Sequence, residues 1–288
     1  MTIIRNSTGL KPRITLPRGT IDSHMHMYLP GYLQQAGGPP LPAGLLPDAQ
    51  QYRQVMQWLG IDRVVITQGN AHQLDNSNLV ACLEEMGAIA RGIAAITAET
   101  SPAELRHLAD SGVVGVRLMD LPGGAVDLAH LERVEAVVRD MGWMMTIQFN
   151  GSEILAHEPR LSKLKARWVL DHHGKFLDGA EPADIDAVKR LIDGGNVWFK
   201  FAGCYESSKV GAPDYTDIAA VARDIAAHAP QRIIWGSNWP HNMAKTTAEY
   251  PDDAALTDTV LGWLADDQAR ELALVQNPQE LFGFSPIF

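Results

Sequence analysis

The sequence predicts an α/β protein of a single domain, a (β/α)8 TIM barrel, and three observations carry that prediction. Eight short apolar segments, each bounded by glycine or polar residues, alternate with eight helical patterns. No break in composition divides the 288 residues, a length that α/β barrels use as one domain. No Gly-x-Gly-x-x-Gly follows the first strand, and the pair Gly123-Gly124 lacks the spacing, which leaves an open doubly wound sheet as the weaker alternative. Residues 1–18 read as an entry arm and residues 19–288 as the barrel.

The segment from Gly19 to Met27 reads as the first strand, and His24 and His26 stand two residues apart on it. A period of two puts both imidazoles on one face. In a parallel barrel the C-terminal strand ends carry the chemistry, so the pair marks a site at the mouth. Metal ligation, polarisation of a carbonyl, and plain hydrogen bonding on a half-buried strand are all open for these two rings. The glycines and prolines between Leu29 and Leu45 exclude helix and ladder, so a long loop leaves this strand, with Tyr28 and Tyr32 as candidate pocket walls.

Asp48 stands where a helix cap belongs, the helix runs to Leu59-Gly60, and Asp62 to Gln68 is the second strand. Asp75 or Asn76 caps the next helix, which ends near Met86, and Arg91 to Ile96 is the third strand. His72, in the loop between, reads as a surface or rim histidine. Ser101-Pro102-Ala103-Glu104 combines a cap, a proline at the first helical position and an acid in the first turn. That helix stops at Gly112, and Val113 to Leu118 is the fourth strand. Arg117 lies at its end, where a buried guanidinium requires an anion: an acid of the chain, or a substrate carboxylate gripped by two hydrogen bonds.

A helix from Leu128 to Met141 leads to the fifth strand, Trp143 to Asn150, with Gln148 as its polar end. After a helix around Ile154 to Lys165, the strand begun by Trp168 enters Asp171-His172-His173-Gly174-Lys175, again putting charge and imidazole at the mouth. Pro182 to Ile192 is helix, Asn196 to Ala202 is the seventh strand with Lys200 in its run, and Tyr215 to His228 is helix. Arg232 to Trp235 forms the eighth strand and runs into Gly236-Ser237-Asn238-Trp239-Pro240-His241. The tail from Asp253 to Phe282 is helical. His173, Lys200 and His241 each also suit a purely structural role.

No apolar run approaches the ~18 residues of a membrane span, and residues 1–18 lack the pattern of a secretory signal. The net charge of −10 argues against nucleic acid and anionic membranes as partners. Cys82 and Cys204 have neither framework nor metal-type spacing, which fits a reducing, cytoplasmic setting.

Asp22-Ser23-His24-Met25-His26, His172 after the sixth strand and Gly236-Ser237-Asn238-Trp239-Pro240-His241 after the eighth resemble the amidohydrolase superfamily, over essentially the whole chain, and within it the metal-independent lactonase branch. That resemblance implies a small anionic lactone as substrate. Metal-dependent members keep a histidine on the fifth strand and an aspartate on the eighth, where this chain has Gln148 and Asn238. The expectation is therefore no metal and no cofactor, with His24, His26 and His172 polarising a lactone carbonyl. By the same resemblance Arg117 and Lys175 bind the free carboxylate, and Gln148 and His241 complete the binding site. A second arginine of the branch is replaced by Pro122-Gly123-Gly124, which implies a different charge layout in the substrate.

Asn238 has no basic site near neutral pH and only orients groups, so attack by water lacks its usual proton acceptor. A hydroxyl of the substrate itself needs less help, because it enjoys a large effective concentration. The expected reaction is isomerisation of an aldarate 1,5-lactone to the 1,4-lactone, D-galactaro-lactones being the leading case. A lactone hydrolase using Asp171 or His241 as base is the alternative. A metal-dependent hydrolase or decarboxylase and a sugar-acid binding protein rank lower.

Overall fold

In the computed structural model, which describes residues 9–244 and 246–287, eight parallel strands pair in sequence order. They are β1 (Ile21–Met25), β2 (Arg63–Thr67), β3 (Ala90–Ala94), β4 (Val113–Met119), β5 (Met144–Gln148), β6 (Trp168–Leu170), β7 (Val197–Phe201) and β8 (Ile233–Trp235). The helices that return the chain are α1 (Ala49–Leu59), α2 (Ser77–Met86), α3 (Pro102–Asp110), α4 (Leu131–Met141), α5 (Ile154–Leu161), α6 (Pro182–Asp193), α7 (Thr216–His228) and α8 (Asp253–Leu261). This is the (β/α)8 barrel that the alternating pattern predicts.

In α1, Tyr52, Val55, Met56 and Leu59 recur at helical spacing and form the buried stripe that packs on the strands. Asp48 accepts from the Gln51 amide at 2.9 Å to begin the helix, and Gly60, at φ 87°, ends it in the left-handed region open to glycine. Inside the barrel, Ile21, Val65, Ile93, Met144, Val169, Trp198 and Ile234 fill the floor. Leu281, Phe282 and Phe284 seal it from below. Everything above that floor is free to be polar.

The barrel closes through side chains and the turn after β8. The Asn238 amide donates to the His24 carbonyl and the His26 amide to the Trp239 carbonyl, both at 2.8 Å. Asp22, fully buried, accepts from the Ser237 amide at 2.9 Å, the Ser237 hydroxyl, the Tyr52 hydroxyl at 2.7 Å and the His24 amide at 3.1 Å. The Asp-Ser-His motif thus serves closure as well as chemistry.

A register shift between Asp22 and Met25 interrupts β1. Ile21 belongs to the barrel floor whereas Met25 packs outward against the helices, so plain alternation does not hold along the strand. The bulge resets the parity, and His24 and His26 both turn inward.

Several boundaries differ from the sequence reading. The segment from Leu128 begins as a 3-10 turn, Leu128–His130, because Asp127 caps the Ala129 amide and starts a tight turn before α4. β6 stops at Leu170, and His172–Gly174 is a 3-10 turn. The tail divides after α8 into α9 (Asp267–Glu271), a π-type turn at Leu272–Gln276 and α10 (Asn277–Phe282). Asp266 opens α9 as a cap, and Pro278, which has no N–H, cannot continue the regular ladder. Of the entry arm, residues 1–8 lie outside the described residues. Beyond them the arm is tied down where the Arg13 and Ile14 amides donate to the Asp258 carboxylate at 3.0 and 2.8 Å.

Candidate active site

Each polar residue at the mouth comes from a strand end or the turn that follows it. β1 supplies His24 and the residue just past its end supplies His26; β4 supplies Arg117, β5 Gln148 and β7 Lys200. The segment after β6 supplies Asp171, His172 and Lys175, the turn after β7 supplies Tyr205 and Glu206, and the turn after β8 supplies Asn238. His24 lies edge-on to both other imidazoles, 4.9 Å from His26 and 4.7 Å from His172 between ring centroids.

The backbone is bent to achieve this. Five of the seven non-glycine residues at positive φ among the described residues are His172, His173, Lys175, Asn238 and His241. Such strain collects where a site requires it. Two glycines make room: a Cβ on Gly236 would come within 2.6 Å of the His24 Cβ, and one on Gly203 within 2.6 Å of Asn238 Nδ2.

Two ion pairs organise the pocket. Lys200, wholly buried in β7, places Nζ 2.8 Å from Asp171 Oδ1 and 3.2 Å from His24 Nδ1. Lys175 pairs with Glu206, whose other oxygen accepts from Asn238 Nδ2 at 2.8 Å. Asn238 Nδ2 also donates to the Tyr205 hydroxyl at 2.7 Å, so both of its amide hydrogens are used. Its Oδ1 has no partner among the described residues and remains an acceptor. An aspartate at this position would face Glu206 with like charge, which is a physical reason for the amide.

Arg117 donates from Nη1 to the Gln68 carbonyl at 2.8 Å and from Nη2 to Gln148 Oε1 at 3.3 Å. Among the described residues no carboxylate oxygen lies within 4.0 Å of its guanidinium, and its buried Nε has no partner. Among the described residues this buried cation thus has no carboxylate in contact, and Asp171 and Glu206 act on it only from farther away. Lys175, expected to share a substrate carboxylate with it, is instead occupied by Glu206. His241 is fully buried with one nitrogen 2.7 Å from the Tyr205 hydroxyl and the other 2.8 Å from Asp253. It therefore stands behind Asn238 as a support for Tyr205. His173 stacks on Phe201, and its Nδ1 meets the Ala202 carbonyl at 3.1 Å. His72, expected at the surface or rim, is buried with Nδ1 3.1 Å from the Leu33 carbonyl, which fastens the loop after β1.

Burial, and then the Lys200 ammonium, hold His24 well below the ordinary imidazole range. Burial and Arg117 push His26 down to about 3. Burial lowers His172 as well, against the pull of Glu206 and Asp171. Burial works to raise both carboxylates, but Lys200 and His172 hold Asp171 below its usual range, and His172 and Lys175 hold Glu206 at about 2. Burial lowers Lys200, against the pull of Asp171. Near neutral pH the site is thus three neutral imidazoles between two ionised carboxylates, each in contact with a lysine.

His24, Asp171 and His172 bring ligand-type atoms within 4.8 Å of one another, the one such group among the described residues. They do not fit a metal. The Lys200 ammonium already takes the carboxylate and the His24 nitrogen, and a dication among them would meet that charge at close range.

Residues 21–284 match the family model described as amidohydrolase. The chain belongs to the amidohydrolase family. This amidohydrolase is 53% identical over 287 residues to D-galactarolactone isomerase of Agrobacterium fabrum, covering 99% of this chain and 98% of that one. It superposes with TM-score 0.94 on an apo crystal structure of an Agrobacterium tumefaciens protein, also 53% identical, over 96% of this chain and 98% of that one. It is 30% identical to 2-pyrone-4,6-dicarboxylate hydrolase of Comamonas testosteroni, over 94% and 92% of the two chains.

Sequence reasoning missed Tyr205 and Glu206 altogether and left Lys200 unassigned. Lys200 gave a signal, as the one charge in the apolar run Val197–Phe201. Glu206 gave none, since the loop that carries it has ordinary composition. No helix among the described residues is long and apolar enough to cross a membrane.

Proposed function

We propose that the protein is a lactone isomerase that converts D-galactaro-1,5-lactone to D-galactaro-1,4-lactone by metal-free intramolecular acyl transfer. The observation that carries this reading is 53% identity along 99% of the chain to D-galactarolactone isomerase. The chemistry of the mouth supports it. Arg117, a buried cation with no carboxylate in contact among the described residues, suits the free carboxylate of the substrate, with Gln148 fixing its orientation. The His172 ring suits donation to the oxyanion that forms when the carbonyl is attacked, with His24, whose Nε2 is buried, packed edge-on against it. Asn238 Oδ1 suits a substrate hydroxyl, which it orients without deprotonating. Lys175 holds Glu206 in place, and His241 holds Tyr205. The substrate is a small anion, and we assign the enzyme to sugar-acid breakdown in the cytoplasm.

Lactone hydrolysis is the second reading, favoured by the hydrolase that is 30% identical. Of the bases considered for it, Asp171 is tied to Lys200, and His241 has both nitrogens engaged by Tyr205 and Asp253; Glu206 is likewise tied to Lys175.

A proton NMR time course on the 1,5-lactone should show the 1,4-lactone as the first enzymatic product, with kcat/KM nearly level from pH 8 to pH 5. The sign follows from His26, which is depressed to about 3 and so stays neutral until the pH approaches that value. An imidazole at its ordinary pKa of about 6.5 would be only about 3% neutral at pH 5, a loss of roughly thirtyfold. A decline of that size would contradict the neutral trio.

A further inference from the structure

The three imidazoles are not equivalent, and their hydrogen bonds say which atom of each carries a proton. Nδ1 of His26 lies 2.9 Å from the Thr67 carbonyl. A carbonyl only accepts, so Nδ1 bears the hydrogen and, in the neutral ring, Nε2 bears a lone pair. His24 is the reverse case. Its Nδ1 lies 3.2 Å from Lys200 Nζ, and Asp171, 2.8 Å away, keeps that lysine a donor. Nδ1 of His24 therefore accepts, and Nε2 bears the hydrogen; that Nε2 is buried and has no partner among the described residues. Nε2 of His26 also has no partner among them, and unlike that of His24 it is not sealed from the mouth, His26 retaining 8% of its exposure.

Two residues apart and with rings at 87°, the pair thus keeps its free donor buried on His24 and its free acceptor at the mouth on His26. We propose that His26 Nε2 is the proton shuttle of ring exchange, taking the proton of the attacking hydroxyl and returning it to the departing ring oxygen. The inference rests on the lactone-isomerase reading above.

The step balances without a co-reactant. The substrate hydroxyl oxygen bonds to the lactone carbonyl carbon as its proton passes to His26, and the carbonyl electron pair moves onto the carbonyl oxygen, which becomes the oxyanion. When the oxyanion collapses, the bond from that carbon to the original ring oxygen breaks, and His26 returns the proton to that oxygen. Both oxygens are bonded to one carbon in the intermediate, so a single acceptor reaches both. Burial keeps His26 neutral at rest, and the adjacent oxyanion stabilises the imidazolium during the moment it exists. Asp171 and Glu206, the other basic groups nearby, are each tied to a lysine.

Two measurements test this. In the 15N-labelled, unmodified protein, long-range 1H–15N correlation of the imidazoles, assigned with His26→Gln and His24→Gln, should show His26 protonated at Nδ1 and bare at Nε2. A proton on Nε2 of His26 overturns the proposal, whether or not the protein turns over a lactone. In kinetics, His26→Gln should lower kcat by about 10²–10⁴-fold with KM changed less than about threefold, because the amide can donate but cannot take a proton. A fall in kcat of less than about tenfold assigns His26 to polarising the carbonyl and overturns the shuttle. Absence of any ring exchange by the unmodified protein would instead remove the isomerase reading, while the NMR result still decides the tautomers.

Discussion

Lys200→Met should lower the folding stability of the protein by about 3–5 kcal/mol near neutral pH, the usual cost of removing one partner from a buried ion pair. Lys200 is 0% and Asp171 1% exposed, and among the described residues no other cation lies within 4.0 Å of the Asp171 carboxylate, His24 at 3.7 Å being neutral. Without the ammonium the carboxylate is left buried and uncompensated, and its pKa moves up instead of down. The sign with pH is then fixed. In the unmodified protein the depressed Asp171 contributes stability above the ordinary carboxylate range and loses it as pH falls. In the variant Asp171 takes up its proton early, so the deficit measured by urea unfolding should narrow towards pH 4. Adding Asp171→Asn to Lys200→Met should recover much of the loss, since the two residues share one interaction. A single-variant loss below about 1 kcal/mol would show that the pair is not the keystone described here.

Arg117→Met should cost about 2–4 kcal/mol of transition-state stabilisation, taking charge-assisted hydrogen bonds at about 1.5–3 kcal/mol each. That is roughly a 30- to 1,000-fold fall in kcat/KM for a lactone bearing a carboxylate. Among the described residues the guanidinium bonds only neutral groups, on Gln68, Gln148 and Met119, so a substrate carboxylate would be the first in direct contact with it. The loss should largely vanish for the matching lactone amide or ester, which offers no charge to pair. Equal losses on charged and uncharged lactones would assign Arg117 to architecture.

What the sequence shows of this site follows from how local each signal is. The barrel is legible because its helices and strands repeat one amphipathic pattern eight times. His24 and His26 are legible through a period of two, although the bulge at Asp22–Met25, which makes that parity true, has no sequence mark. Arg117 is legible as a lone cation at an apolar strand end. Lys200 is visible for the same reason, yet the acid that answers it, Asp171, lies 29 residues earlier, just past the end of the neighbouring strand, and only the closed barrel brings the two together. The amide at Asn238 reads as a missing base; the structure adds that Glu206 brings a carboxylate back from a loop with no motif. His241 reads as a site residue from its place in the turn, and the structure adds that both its ring nitrogens are engaged, by Tyr205 and Asp253.

The central claim is that the attacking oxygen belongs to the substrate and that no metal takes part. It is tested most directly by giving chelator-treated protein D-galactaro-1,5-lactone in ¹⁸O-labelled water and analysing the first product by mass spectrometry. The account predicts unlabelled 1,4-lactone, formed at the rate of the untreated protein. Labelled open-chain diacid as the main enzymatic product, or activity lost on chelation and restored by zinc or manganese, would contradict it.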